Sequence, residues 1–196
     1  MKRICVFCGS SSGFKKEYAE SAAAVGRLLA ASGIELVYGG GKVGLMGAAA
    51  KAALAHGGKV IGVIPRDLSD RGLGYEAVTC LEVVENMHER KARMAGLSDA
   101  FIALPGGYGT FEEIFEALTW MQLGLHTKPC AFLNSLGYYD KLLAFLRHTV
   151  AEGFIGEEFM SALICSDRPE ILIEKIRTFK PVKVDKAAWA LGLSAE

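Results

Sequence analysis

Short, almost unbroken runs of apolar residues recur along the chain, and between them the apolar positions spread out to a helical spacing. The runs at 4–7, 34–38, 60–64, 78–84, 100–104 and 130–133 have the length of strands, and 163–165 reads as a further short one. They do not alternate with polar residues. A strand that is apolar on both faces belongs to a sheet covered on both faces, which is the habit of parallel sheets. The spacing predicts helices over 15–31, 44–56, 87–97 and 111–123, and a mostly helical remainder after 133. Residues 66–76, with Gly72 and Gly74, read as a loop. This order predicts one three-layer α/β domain over 1–180, with a parallel sheet of about six or seven strands and helices on both sides. The weaker patterning of 181–196 reads as a C-terminal tail.

In such Rossmann-like sheets, ligands bind beyond the carboxyl ends of the strands. Three glycine-rich segments, 9–13, 39–47 and 106–109, follow predicted strands, so all three should open on that edge. Gly39-Gly40-Gly41-Lys42-Val43-Gly44 is a literal dinucleotide fingerprint between a strand and a helix. It follows the second strand, however, and the carboxylate expected about 20 residues on would have to be Asp67. Val43 stands where a P-loop needs Ser or Thr for magnesium. A mononucleotide or phosphate cradle is the favoured reading, with classical NAD binding and a tight packing turn as alternatives.

The run Pro105-Gly106-Gly107-Tyr108-Gly109-Thr110-Phe111-Glu112-Glu113 carries the most chemistry. Glycines at a strand-to-helix turn let backbone N–H groups approach a ligand, and a helix start adds unpaired N–H groups and the positive end of the dipole. Thr110 and Glu113 also have capping-box spacing, so the glutamate can be a cap or a catalyst. Upstream, Asn86 and Glu89 have the same spacing, and Arg90, Lys91 and Arg93 follow them. Cations near a helix start are unfavourable without an anionic partner. They mark either an anion or carboxylate site or an ordinary solvated face.

Composition narrows the field. Acidic and basic residues balance at 22 each, so no bulk charge draws the chain to nucleic acid or a membrane surface. No run approaches the ~18 apolar residues of a membrane span, and the few apolar residues before Gly9 are too short for a signal peptide. The cytoplasm is the expected compartment. The five cysteines are odd in number and sit mostly in apolar runs, as buried reduced thiols do. Cys5 lies inside a strand-like run, which argues against redox chemistry for the Cys5-x-x-Cys8 pair. The four histidines show no ligand spacing, and neither a metal nor a cofactor is expected.

Two stretches together, Met87-His88-Glu89-Arg90-Lys91 and the run from Pro105 to Glu113, resemble the LOG family of cytokinin riboside 5′-monophosphate phosphoribohydrolases. That family's pattern is P-G-G-x-G-T-x-x-E with an upstream R-K pair. Cys8-Gly9-Ser10-Ser11, Tyr38-Gly39-Gly40-Gly41 and Gly44-Leu45-Met46-Gly47 are similar to its first two loops. The resemblance covers about 1–180. It implies hydrolysis of the N-glycosidic bond of adenosine 5′-monophosphates, often N6-prenylated, to free base and ribose 5-phosphate. It implies Arg90 and Glu113 as the catalytic pair, with Gly106, Gly107, Gly109 and Thr110 on the 5′-phosphate. Gly9, Ser10, Gly41, Gly44, Met46, Met87, Lys91, Tyr108 and Glu112 are the further substrate-binding candidates. A non-catalytic nucleotide or cofactor carrier on the same fold, and an NAD(P)-dependent oxidoreductase using the Gly39 loop, are the competing readings. The resemblance also implies a homodimer. The helix from Phe111 agrees: Phe111, Ile114, Phe115, Leu118 and Met121 form a core stripe, while Ala117, Trp120 and Leu123 lie off it and ask for further cover.

Overall fold

A computed structural model describes residues 1–181, so all of the expected tail except Pro181 lies outside the described residues. Seven parallel strands form one sheet: β1 (Arg3–Phe7), β2 (Glu35–Tyr38), β3 (Val60–Pro65), β4 (Cys80–Val84), β5 (Ala100–Ala103), β6 (Cys130–Leu133) and β7 (Ile164–Ser166). Their spatial order is β4-β3-β2-β1-β5-β6-β7. The helices are α1 (Lys16–Ala31), α2 (Gly44–Ala55), α3 (Arg66–Asp70), α4 (Met87–Leu97), α5 (Tyr108–Gln122), α6 (Asp140–Ala151), α7 (Glu157–Ala162) and α8 (Pro169–Arg177).

The continuous apolar strands divide their side chains between two cores. Ile4, Val6, Leu36, Tyr38, Ile102 and Leu104 pack on one face, where α1, α2 and α8 lie. Cys5, Phe7, Val37, Phe101, Ala103 and Phe132 pack on the other with Met94 of α4 and Ile114 of α5. On the first face α1 and α2 touch closely. A β-carbon on Gly26 would stand 2.2 Å from the Ala49 carbonyl oxygen, so glycine and the alanines of α2 set that spacing.

Three expectations need correction. Residues 66–76 are not all loop: Arg66–Asp70 forms the short helix α3, whose sequence has too few apolar positions to show a period. The strand expected over 78–84 is shorter and lies at the sheet edge, so Cys80 and Val83 are exposed and not buried on both faces. Helix α5 begins at Tyr108, three residues before the expected start at 111.

Between β1 and β5 the strand order reverses direction. Crossovers leave to opposite sides there, which opens a crevice at the carboxyl ends of the two strands. Gly9 and Pro105 sit at its base, joined by a hydrogen bond from the Gly9 N–H to the Pro105 carbonyl at 3.0 Å. The topology thus brings the first and third glycine-rich loops together, and β2 adds the second alongside.

Candidate active site

The early start of α5 decides how the turn after β5 is used. Gly107 is its N-cap and, having no side chain, makes no cap bond. The first bond into the helix runs from the Phe111 N–H to the Gly107 carbonyl at 3.0 Å. Among the described residues, no side chain or outside carbonyl takes the N–H groups of Gly107, Tyr108, Gly109 and Thr110. They converge with the dipole as an anion site does. Thr110 and Glu113 therefore make no capping box. Thr110 is already the third helical residue and Glu113 lies a turn inside, leaving its carboxylate free for another partner.

That partner is Arg90, which reaches in from α4. Asn86 caps α4 by accepting the Glu89 N–H at 3.0 Å, and Glu89 returns the bond to the Glu85 N–H, also at 3.0 Å. This fixes the first turn and aims Arg90 beneath the sheet edge. Its Nε donates to the Val63 carbonyl and its Nη2 to the Gly39 carbonyl, both at 3.1 Å. Its Nη1 lies 3.3 Å from the Glu113 carboxylate, and the two side chains are only 11% and 10% exposed. The basic cluster is thus not uniformly a solvated face: Arg90 is buried, whereas Arg93 pairs with Glu82 at the surface.

Burial pushes the Glu113 carboxyl up to about 7 from an ordinary 4.5. Arg90 and Lys91 pull it down while Glu112 and Glu116 push it up, and the loss of water outweighs the ion pair. A carboxyl poised near neutrality suits proton transfer. Beside it, burial raises the thiols of Cys5 and Cys8 well above their ordinary range, so they stay protonated.

Arg90, Glu113, Cys8 and the first residues of α5 share a cavity of about 420 Å³. Of the candidate residues, Gly9, Ser10, Gly41, Met46, Arg90, Gly107, Tyr108, Gly109, Thr110 and Glu113 line it. Gly44, Met87, Lys91, Gly106 and Glu112 do not. Gly44 packs on Ser10, where a β-carbon would sit 2.3 Å from backbone, and Gly106 lies under the Thr110 hydroxyl. Lys91 bonds to Glu112 and, at 3.2 Å, to Glu116, which ties α4 to α5 outside the cavity. Met87 is half-exposed and sets its sulfur 3.2 Å from Arg90 Nη1.

Sequence reasoning missed the apolar wall made by Val43, Ile64, Leu68 and Leu73. Leu68 stands on α3. Leu73 is held by a bond from the Lys42 N–H to its carbonyl at 3.2 Å, with the Tyr75 N–H donating to Gly40 at 2.9 Å. Two leucines in an otherwise polar stretch were the available signal. Asp67, the carboxylate an NAD site would use, is not in the lining, whereas its neighbour Leu68 is.

The family described as "Possible lysine decarboxylase" matches residues 46–176. The chain is similar to the probable cytokinin riboside 5′-monophosphate phosphoribohydrolase LOGL2 of Oryza sativa subsp. japonica, with 48% identity over 97% of this chain and 79% of the relative. It is likewise 48% identical to cytokinin riboside 5′-monophosphate phosphoribohydrolase LOG1 of Arabidopsis thaliana, over 98% of this chain and 93% of that one. Among solved structures, the molybdenum cofactor binding protein of Rippkaea orientalis superposes with a TM-score of 0.69 at 25% identity, over 91% of this chain and 97% of the other.

Proposed function

The chain belongs to the LOG family of cytokinin riboside 5′-monophosphate phosphoribohydrolases, and from that premise we propose that it hydrolyses the N-glycosidic bond of adenosine 5′-monophosphates, N6-substituted ones included, to free base and ribose 5-phosphate. The observation that carries this reading is the meeting, in one cavity, of the buried Glu113–Arg90 pair with the open start of α5.

In this reading the 5′-phosphate sits on the N–H groups of Gly107, Tyr108, Gly109 and Thr110, where a dianion gains from the dipole. Among the described residues, a β-carbon on Gly107 or Gly109 would meet no neighbouring atom within 4 Å, so both positions leave that space to a ligand. The phosphate anchors the sugar, and this remote binding energy holds C1′ at the carboxylate. Breaking the bond from C1′ to the base nitrogen builds positive charge on the ribose, as in other glycosidic cleavages. Ionised Glu113 stabilises that charge and takes a proton from the water that attacks C1′. The base departs with the bonding electrons and is protonated to the free purine. Arg90, fixed by two backbone carbonyls, keeps the carboxylate aimed into the cavity. The wall of Val43, Met46, Ile64, Leu68 and Leu73 takes the base and an apolar N6-substituent. Ser10, Gly9 and Gly41 complete the lining, while Lys91 and Glu112 act on the geometry of the two helices from outside it.

The fold is shared with a cofactor-binding protein, so fold alone does not separate a hydrolase from a carrier. The hydrolase reading rests on relatives almost twice as similar, at 48% against 25% identity. Among the described residues no lysine lines the cavity, so the family's decarboxylase description finds no Schiff-base residue there. Incubation with AMP and isopentenyl-AMP, followed by chromatography, tests the proposal. Free base supports it; tight binding without release supports a carrier.

The assembly proposed is a homodimer with α5 at the contact. Ala117, expected off the core stripe, is buried within the chain. Phe111, Phe115, Leu118, Trp120 and Met121 are only partly covered, and Leu123 is 50% exposed. Together with an apolar groove between α5 and α7 they offer a second copy a continuous face. Sedimentation of a fully active monomer at micromolar concentration would exclude the dimer. The compartment proposed is the cytoplasm, in keeping with five free cysteines, of which Cys5, Cys8 and Cys130 are buried.

A further inference from the structure

The segment after β6 carries backbone strain. Leu136 adopts φ 55°, in the left-handed region that is unfavourable for a residue with a β-carbon, and Gly137 follows at φ 70°. The Asn134 side chain holds this turn. It accepts the Tyr139 N–H at 2.7 Å and donates to the Asp140 carboxylate at 2.7 Å. Strain kept in place by specific bonds points to something the turn delivers.

What it delivers is a pair of tyrosines to the loop before α5. The Tyr139 hydroxyl donates to the Leu104 carbonyl at 2.6 Å, from a fully buried position. The Tyr138 hydroxyl donates to the Gly106 carbonyl at 2.5 Å. The Tyr138 ring is braced edge-on by Tyr18 of α1, with centroids 5.8 Å apart, and by Tyr139 at 5.0 Å. The Gly106 carbonyl and the Gly107 N–H belong to one peptide plane and, across a trans bond, point opposite ways. Gly107 lines the cavity, whereas Gly106 and Tyr138 stand outside the lining.

We propose that Tyr138 is a positioning residue for substrate phosphate: by holding the Gly106 carbonyl away from the cavity, it turns the Gly107 N–H into it. The role rests on the reading above that the start of α5 takes the 5′-phosphate. The phenol touches no reacting atom, so its effect falls on binding and not on the chemical step.

Tyr138→Phe keeps the ring and its aromatic contacts and removes only the donor. The KM for isopentenyl-AMP should rise about tenfold, the scale of one hydrogen bond, with kcat within about twofold. The inhibition constant of ribose 5-phosphate should rise in parallel. Asn134→Ala, which releases the turn, should move KM in the same direction and provides an independent variant if Phe at 138 fails to fold. In protein labelled with [¹⁵N]glycine, inorganic phosphate should shift the Gly107 amide resonance in the wild type and much less in Tyr138→Phe. Unchanged KM, a loss confined to kcat, or equal amide shifts in the two proteins would overturn the proposal. A wild type that cleaves no nucleotide would instead defeat the hydrolase reading, and the phosphate titration would still decide the role of Tyr138.

Discussion

The two glycine-rich turns at 39–44 and 106–109 sit on the same edge of the sheet, and the first is the better match to a nucleotide fingerprint. Their glycines do different things. In the first turn, Gly40 adopts φ 75° against Ile64 and Leu81, and Gly44 adopts φ 61° against the Ser10 backbone. The Gly39 carbonyl is taken by Arg90, and the Leu45 N–H at the start of α2 already donates to the Gly9 carbonyl at 3.0 Å. Those glycines allow close approach of protein to protein. In the second turn, among the described residues, Gly107 and Gly109 face open space and the first N–H groups of α5 stay unclaimed. A phosphate loop is recognised by N–H groups left over after the fold has used its own, and a count of glycines does not report that.

The sharpest way to break the contrast is to remove the carboxylate that accompanies the second turn. Glu113→Gln should lower kcat by about a thousandfold or more, the scale of lost proton transfer and charge stabilisation. AMP affinity, measured by calorimetry, should stay within about threefold. Near-wild-type turnover would reduce Glu113 to a structural role.

Next come substitutions that separate packing from binding. Arg90→Ala should remove most activity and also destabilise the fold by about 3 kcal/mol or more, because a buried carboxyl and two carbonyls lose their partner. This reverses the expectation for an exposed cation, for which the cost would be under about 0.5 kcal/mol. Gly44→Ala should cost about 1–3 kcal/mol in chemical denaturation, through positive φ and collision with Ser10. Gly107→Ala, at an extended φ of −102°, should leave stability unchanged and raise KM about tenfold. If the Gly44 variant lost nucleotide affinity without losing stability, the two turns would have exchanged roles.

The smallest effects are on pH. With ionised Glu113 as the active form, kcat/KM, which reports the free enzyme, should fall as pH drops through about 7. Its folded-state value lies above the ordinary 4.5, so the folded protein holds that proton more tightly. The stability from this group is complete below about 4.5 and is lost as pH rises through about 7. The melting temperature of Glu113→Gln should therefore exceed that of the wild type by more at pH 8 than at pH 5. An equal difference at both would place the Glu113 titration elsewhere.

Much of this molecule was legible before the structure. Each strand buried on both faces announced itself as a continuous apolar run, and the Arg-Lys step and the Pro105–Glu113 run contain Arg90 and Glu113, whose side chains lie 3.3 Å apart. The start of α5 at Tyr108 is hidden in the sequence because Gly109 in a first turn looks like loop and Thr110 looks like a cap. The burial of Arg90 was not legible, since its carbonyl partners come from Gly39 and Val63, 51 and 27 residues away in the chain. The wall of Leu68 and Leu73 was hidden for the same reason: bonds between 73–75 and 40–42 tie that segment to the second glycine-rich turn.

The central claim is that the α5 turn takes the phosphate and presents C1′ to Glu113. A crystal structure of Glu113→Gln with isopentenyl-AMP tests it most directly. The account predicts the phosphate within hydrogen-bond reach of the Gly107 and Gly109 N–H groups, C1′ beside residue 113, and the base against Val43, Leu68 and Leu73. A phosphate seated on the Gly39–Gly44 turn, or C1′ out of reach of residue 113, would contradict it.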